Sequence, residues 1–171
     1  MKRLIEKINN RKAKVGIIGL GYVGLPLVSN FLKNGFDVIG IDIDKSKIDS
    51  LNNRKSYISH IDSSFIKEYL GNKLDVSNEI SKVSEVDIII LCLPTPLNEN
   101  KEPDMSFVFN TLYASLPHLR KGQALSLEST TYPGTTSEDV YEILNGGGFQ
   151  VGKDIYEAKD VGEKAKLLFL S

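Results

Sequence analysis

The sequence predicts an α/β fold: a doubly wound parallel sheet in three αβα layers, preceded by a short amino-terminal helix. Three observations carry this expectation. Short β-branched runs alternate with segments of helical periodicity across short connections, the pattern of parallel strands joined by crossover helices. One run, Val86 to Leu93 (VDIIILCL), is apolar almost throughout, as a strand buried on both faces of a parallel sheet should be. The first strand-to-helix junction is rich in glycine, reading Gly19-Leu20-Gly21-Tyr22-Val23-Gly24.

The elements follow in order. Met1, Leu4, Ile5 and Ile8 recur at helical spacing among charged residues, so residues 1–12 are expected to hold an amphipathic helix. Lys14 to Gly19 reads as a buried strand. A helix is expected over Val23 to Asn34, with Pro26 in its first turn, where a missing amide hydrogen costs little, and Gly35 closing it. Asp37 to Asp42 is the second strand and Lys45 to Asn52 the next helix. Ser63 to Leu70 reads as a short helix with Ser63 or Ser64 as its cap. After the apolar run at Val86, Pro94-Thr95-Pro96 opens a polar loop that continues to Pro103. Ser106 to Leu116 is helical and is expected to stop before Pro117. Gln123 to Ser129 is a strand and Ser137 to Leu144 a helix.

Composition narrows the function classes. The 171 residues suffice for one domain with a sizeable core, and 41% hydrophobic with 25% charged residues is ordinary for a globular protein. Lysine and arginine total 21 against 22 acids, a balance that gives no general attraction to nucleic acid or to an anionic membrane. Cys92 is the single cysteine, and no Cys/His spacing suggests a metal site. No run approaches membrane-spanning length and no signal peptide is visible, so a cytoplasmic location is expected.

The glycine-rich turn is more specific than a glycine cluster alone, because a strand precedes it, a helix follows it and an acid ends the next strand. That arrangement is the dinucleotide-binding fingerprint of a Rossmann domain. Gly19 permits the tight turn, Gly21 lets the backbone approach a pyrophosphate, and Gly24 lets helix and strand pack closely. The following helix presents unpaired amides and the positive end of its dipole to phosphates. Asp42 lies 23 positions after Gly19, close to the ~20 at which the ribose-binding acid stands. A carboxylate there accepts hydrogen bonds from ribose hydroxyls and repels a 2′-phosphate, which points to NAD as cofactor. Asp42 or Asp44 capping the next helix is the plainer alternative, and Asp44 suits that role better.

Three segments resemble one family. Val15 to Leu27 (VGIIGLGYVGLPL), Cys92 to Leu97 (CLPTPL) and Glu128 to Thr136 (ESTTYPGTT) are similar, in the same order, to motifs of the UDP-glucose/GDP-mannose dehydrogenases. The resemblance covers roughly Ala13 to Tyr156. The helical lead-in and the form Ser129-Thr130-Thr131-Tyr132-Pro133-Gly134 look like the branch that oxidises UDP-N-acetylhexosamines, the UDP-N-acetylglucosamine or UDP-N-acetylmannosamine 6-dehydrogenases. The resemblance implies an NAD-dependent oxidation of a sugar C6 hydroxyl to a carboxylate in two hydride transfers, with a cysteine adduct between them. It also implies that the backbone at Tyr22 and Val23 faces the pyrophosphate, that Asp42 and Lys47 address the adenosine ribose, and that Thr95 and Thr130 lie near the nicotinamide. Position supports both threonines, since each follows the carboxyl end of an expected strand. Simple turn or helix-approach roles for them, and a plain surface role for Lys47, stay open.

Beyond Tyr156 the resemblance ends. The family continues into a sixth strand, a catalytic glutamate, a central helix with lysine and asparagine, a nucleophilic cysteine and a UDP-binding domain. Residues 157–171 instead form a divergent tail, whose apolar Leu167 to Leu170 could complete the sheet edge, pack as a helix end or contact another chain. Cys92 sits in an apolar run without a neighbouring base and reads as a structural thiol rather than a nucleophile. His60 and His118 are isolated. The expectation is therefore a cofactor-binding portion without catalytic residues of its own, partnered by NAD, and by a UDP-sugar only if the missing domain is supplied. A non-catalytic NAD-binding or interaction module is the alternative, and homo-oligomerisation is left open.

Overall fold

The computed structural model describes residues 1–59, 61–97, 101, 103–129 and 136–157. Among these, six parallel strands form one sheet in the order β3-β2-β1-β4-β5-β6: β1 Lys14–Ile18, β2 Asp37–Ile41, β3 Leu74–Ser77, β4 Ile88–Leu91, β5 Gln123–Leu127 and β6 Ile155–Glu157. The helices are α1 Lys2–Asn9, α2 Gly24–Lys33, α3 Lys45–Asn52, α4 Ser64–Tyr69, α5 Ser106–Ser115 and α6 Tyr141–Gly146.

The side-chain period of two distributes each central strand over two cores. Val15, Ile17, Val38, Ile88 and Ile90 face one side, where they meet Leu25, Val28, Phe31 and Leu32 of α2 and Ile48 and Leu51 of α3. Ile18, Ile39, Ile41, Ile89 and Leu91 face the other, against Val108 and Leu112 of α5 and Ile143 and Leu144 of α6. The three αβα layers follow from that division. The register sets Ile18 of β1 beside Ile41 of β2 and Leu91 of β4, so these three strands end level at one edge.

Helix α1 packs on the sheet rather than standing apart. Leu4 and Ile8 are buried in the first core. The Lys7 Nζ donates to Asp87 Oδ1 at 2.8 Å and the amino group of Met1 donates to the Tyr156 hydroxyl at 2.6 Å. Asp87, just before β4, also accepts from the Arg120 guanidinium at 2.7 Å and from the Lys14 amide at 3.1 Å. Burial alone would raise the Asp87 pKa, but the bonds from Lys7, Arg120 and Lys14 outweigh it and hold it below the ordinary carboxylate value.

Several expectations are corrected. The strand read as Val86 to Leu93 spans only Ile88–Leu91, leaving Cys92 just past its end. Strands β3 and β6 were not expected as elements. Both sit at sheet edges, and short edge strands lack the long apolar run that marks a central one. Ser63 stands at the cap position of α4 but its side chain makes no capping bond; Asp62 Oδ1 instead accepts from the Ser64 amide at 3.1 Å. The segment read as one helix from Ser137 enters through a π-type turn, Thr136–Val140, before α6 begins. Pro117 lies inside a short 3₁₀ turn, Leu116–His118, that extends α5. His60 and residues 158–171, including the apolar Leu167 to Leu170, lie outside the described residues; Glu157 ends β6.

Candidate nucleotide-binding site

The strand order reverses at β1, whose neighbours are β2 and β4. In open α/β sheets the crevice over the carboxyl ends at such a point is where ligands bind. Gly19 leaves β1 there with φ +91°, and a Cβ on it would lie 2.3 Å from the Cys92 carbonyl oxygen, so the chains leaving β1 and β4 are pressed together. A Cβ on Gly24, the first residue of α2, would lie 1.9 Å from the Gly19 carbonyl oxygen. Folding itself therefore requires glycine at both positions. Gly21 is different: a Cβ there meets nothing within 4 Å and its φ is not in the left-handed region. Nothing in the fold asks for glycine at Gly21, and its missing side chain keeps the space over the turn open.

Helix α2 begins at this turn with Val23 in the cap position and no side chain capping it. The Leu25 amide donates to the Gly21 carbonyl at 3.1 Å and Pro26 has no N–H, so α2 itself offers an anion the Gly24 amide and the positive end of its dipole. Tyr22 and Val23 are 76% and 52% exposed, unusual for such apolar side chains.

Asp42 follows β2 and is buried, 4% exposed. Its Oδ2 accepts from the Leu20 amide at 2.8 Å and from Lys47 Nζ at 2.9 Å, and its Oδ1 accepts from the Asp44 amide at 2.9 Å. The carboxylate thus reaches back from β2 into the glycine turn. Asp44 is the cap of α3, accepting from the Ser46 amide at 2.9 Å and from its hydroxyl at 2.6 Å. The Ser46 bonds draw its pKa below the ordinary value. The two acids divide the roles that sequence left open: Asp44 holds the helix, and Asp42 is released from capping.

Gly19, Gly21, Gly24, Asp42 and Lys47 are brought into one cluster around Leu20. Thr95 is half-buried in the loop leaving β4, on the other side of the reversal point. That loop is pinned by Ser129, whose hydroxyl donates to the Leu93 carbonyl at 2.7 Å and accepts from the Leu93 amide at 3.1 Å. Thr130 lies outside the described residues. Cys92 is half-buried, and burial, then the charge of Glu128, pushes its thiol up to about 12. Among the described residues no group of three His, Cys, Asp or Glu could hold a metal ion, and no helix is long and apolar enough to cross a membrane.

Sequence reasoning missed three contributors. Ile43, beside Asp42, is 94% exposed, and its place just after the acid that ends the second strand was the available signal. Tyr57 donates its hydroxyl to the Leu20 carbonyl across 37 residues, and Ser129 joins two loops across 36. Ser129 lies in the third motif, but neither long-range bond itself is legible in the chain.

Residues 13–157 match the model of the NAD binding domain of the UDP-glucose/GDP-mannose dehydrogenase family. A UDP-N-acetyl-D-glucosamine 6-dehydrogenase of Salmonella typhi is 34% identical over 146 residues, 85% of this chain and 34% of the relative. A UDP-N-acetyl-D-mannosamine dehydrogenase of Methanococcus maripaludis is 32% identical over 136 residues, 77% of this chain and 31% of the relative. The native structure of the UDP-N-acetyl-mannosamine dehydrogenase Cap5O from Staphylococcus aureus superposes with a TM-score of 0.75 at 36% identity, covering 85% of this chain and 35% of that one. The chain therefore spans about a third of the length of these relatives.

Proposed function

The chain belongs to the UDP-glucose/GDP-mannose dehydrogenase family, whose NAD-binding domain it carries, and on that premise we propose that it is the cofactor half of a nucleotide-sugar 6-dehydrogenase acting on a UDP-N-acetylhexosamine. The single observation that carries the cofactor assignment is Gly21, a glycine with open space where its side chain would be, set between two glycines that the fold does require. The substrate class rests on the relatives that act on UDP-N-acetylhexosamines and on the Ser129-Thr130-Thr131-Tyr132-Pro133-Gly134 form of the third motif.

In this reading the Gly24 amide opening α2, with the backbone at Tyr22 and Val23, holds the pyrophosphate. A carboxylate has about four acceptor positions, and Asp42 uses three of them internally. The fourth accepts from the adenosine ribose, and Lys47 turns from Asp42 to a neighbouring ribose oxygen. A 2′-phosphate would meet the Asp42 charge in a buried setting, so NADP is disfavoured. The exposed face of Ile43 supplies an apolar surface for the adenine. Thr95 and Thr130 border the nicotinamide. Bound NAD supplies the hydride acceptor, and the protein supplies its orientation.

The 171-residue chain alone is expected to bind NAD without oxidising UDP-sugars. Holding the sugar against the nicotinamide is worth on the order of 7–11 kcal/mol of barrier reduction, and no sugar-holding group emerges among the described residues. Cys92, with its thiol pushed up to about 12, is no substitute for an activated thiolate. Calorimetric titration with NAD and NADP tests the first half. Incubation with NAD and UDP-glucose, UDP-N-acetylglucosamine or UDP-N-acetylmannosamine, followed by NADH absorbance, tests the second. Absence of NAD binding would end the reading, and sustained NADH production lost in Cys92→Ser would overturn the assignment of this chain as the cofactor half alone.

A further inference from the structure

Tyr57 belongs to none of the motifs that marked the site. It stands between α3 and α4, outside the β1-α2-β2 unit that builds the glycine turn. Its hydroxyl donates to the Leu20 carbonyl, while the Leu20 amide donates to Asp42 Oδ2 at 2.8 Å. Both polar groups of Leu20 are thus held by side chains reaching in from beyond the turn, and its own side chain is fully buried. Gly19, one residue earlier, is fixed by its amide donating to the Ile41 carbonyl at 2.8 Å.

The geometry has a consequence at the next residue. A peptide group is planar and trans, so its carbonyl and the following amide hydrogen point in opposite directions. The Leu20 carbonyl and the Gly21 N–H share one such plane. A bond that fixes the first therefore fixes the direction of the second, at the residue whose side-chain space is open. Burial, then the charges of Asp42 and Asp44, push the ionisation of the Tyr57 phenol upward, which keeps it a neutral donor across the physiological range.

We propose that Tyr57 is a positioning residue for the cofactor, orienting the Leu20–Gly21 peptide so that the Gly21 amide is preset for the pyrophosphate. The inference rests on the reading of the glycine turn as the pyrophosphate site. Tyr57→Phe removes the hydroxyl and keeps the ring. Its affinity for ADP-ribose and ADP should fall roughly tenfold, the scale of one hydrogen bond, while adenosine, which lacks the pyrophosphate, should bind within about twofold of wild type. Ligand-observed NMR covers this affinity range. Wild type that fails to bind ADP-ribose removes the parent reading and this role with it. Wild type that binds, with Tyr57→Phe binding ADP equally well, removes the role of Tyr57 alone. An equal loss for adenosine and ADP assigns the tyrosine to general structure and also overturns the proposal. Should the variant melt early, the Gly21 amide resonance of the unliganded protein, recorded at a temperature where both forms are folded, decides. It should shift in Tyr57→Phe while amides late in α2 stay in place; an unmoved Gly21 resonance refutes the coupling.

Discussion

Substitution of Gly21 by valine separates ligand from fold at the centre of the site. A Cβ on Gly21 has no heavy atom within 4 Å and no left-handed φ to strain, so the variant should fold with a melting temperature within a few degrees of wild type. Cofactor binding should suffer severely. The valine side chain fills the space over the turn, and hydrogen bonds to a charged group are each worth about 1.5–3 kcal/mol. Loss of two such bonds to the pyrophosphate gives at least ~3 kcal/mol, more than a hundredfold in Kd. Gly24→Ala is the control of opposite character. Its Cβ would lie 1.9 Å from the Gly19 carbonyl oxygen, so backbone must move, at the upper end of the ~1–3 kcal/mol that overpacking costs. For a chain of this size that is a fall of about 6–12 °C in Tm. The assay pairs a thermal melt with a calorimetric NAD titration for each variant. A folded Gly21→Val protein that binds NAD as wild type does would refute the pyrophosphate assignment. A Gly21→Val protein that melts as early as Gly24→Ala would show that the glycine serves the fold after all.

Three further outcomes are expected. Asp42→Ala should weaken NAD by about 1–3 kcal/mol and narrow its advantage over NADP; an unchanged NAD titration would detach Asp42 from the ribose. Asp87 has its folded pKa held below the unfolded value of about 3.9, so its contribution is complete above that value and is lost as pH falls through the folded one. Melts between pH 3 and 7 should therefore show an acid limb that Asp87→Asn flattens. The same variant should cost about 2 kcal/mol at neutral pH, less than the ~3–5 of a fully buried pair, because Lys7 and Arg120 both reach solvent. Parallel melting curves for the two proteins would exclude Asp87 as the acid-labile link to α1. Cys92, pushed up to about 12, should be roughly one part in ten thousand thiolate at pH 8. Alkylation by iodoacetamide in the folded protein should accordingly be slow, and rapid labelling would contradict the half-buried placement.

The sequence alone determined the class of fold and marked the segments that build the candidate site, because both depend on local signals. The apolar period of strands, the glycines at fixed offsets and the acid ending the second strand are each written within a few residues of the element they specify. The division between Asp42 and Asp44 was partly legible in the same way, since a cap acts on amides two residues away. What lay beyond the sequence was set by contacts between distant segments. Edge strands β3 and β6 are defined by pairing with β2 and β5 more than by their own short patterns. The anchoring of α1 needs Asp87 and Tyr156, far along the chain, and the restraint of Leu20 needs Tyr57. The fingerprint already assigns Gly19, Gly21 and Gly24 different roles; the tertiary structure adds the contacts, a Cβ striking backbone at Gly19 and Gly24 and meeting open space at Gly21. Sequence periodicity records what a residue does to its own helix or strand, whereas a single hydrogen bond or steric contact across thirty or more residues leaves no periodic trace, and those contacts shaped the details of the site.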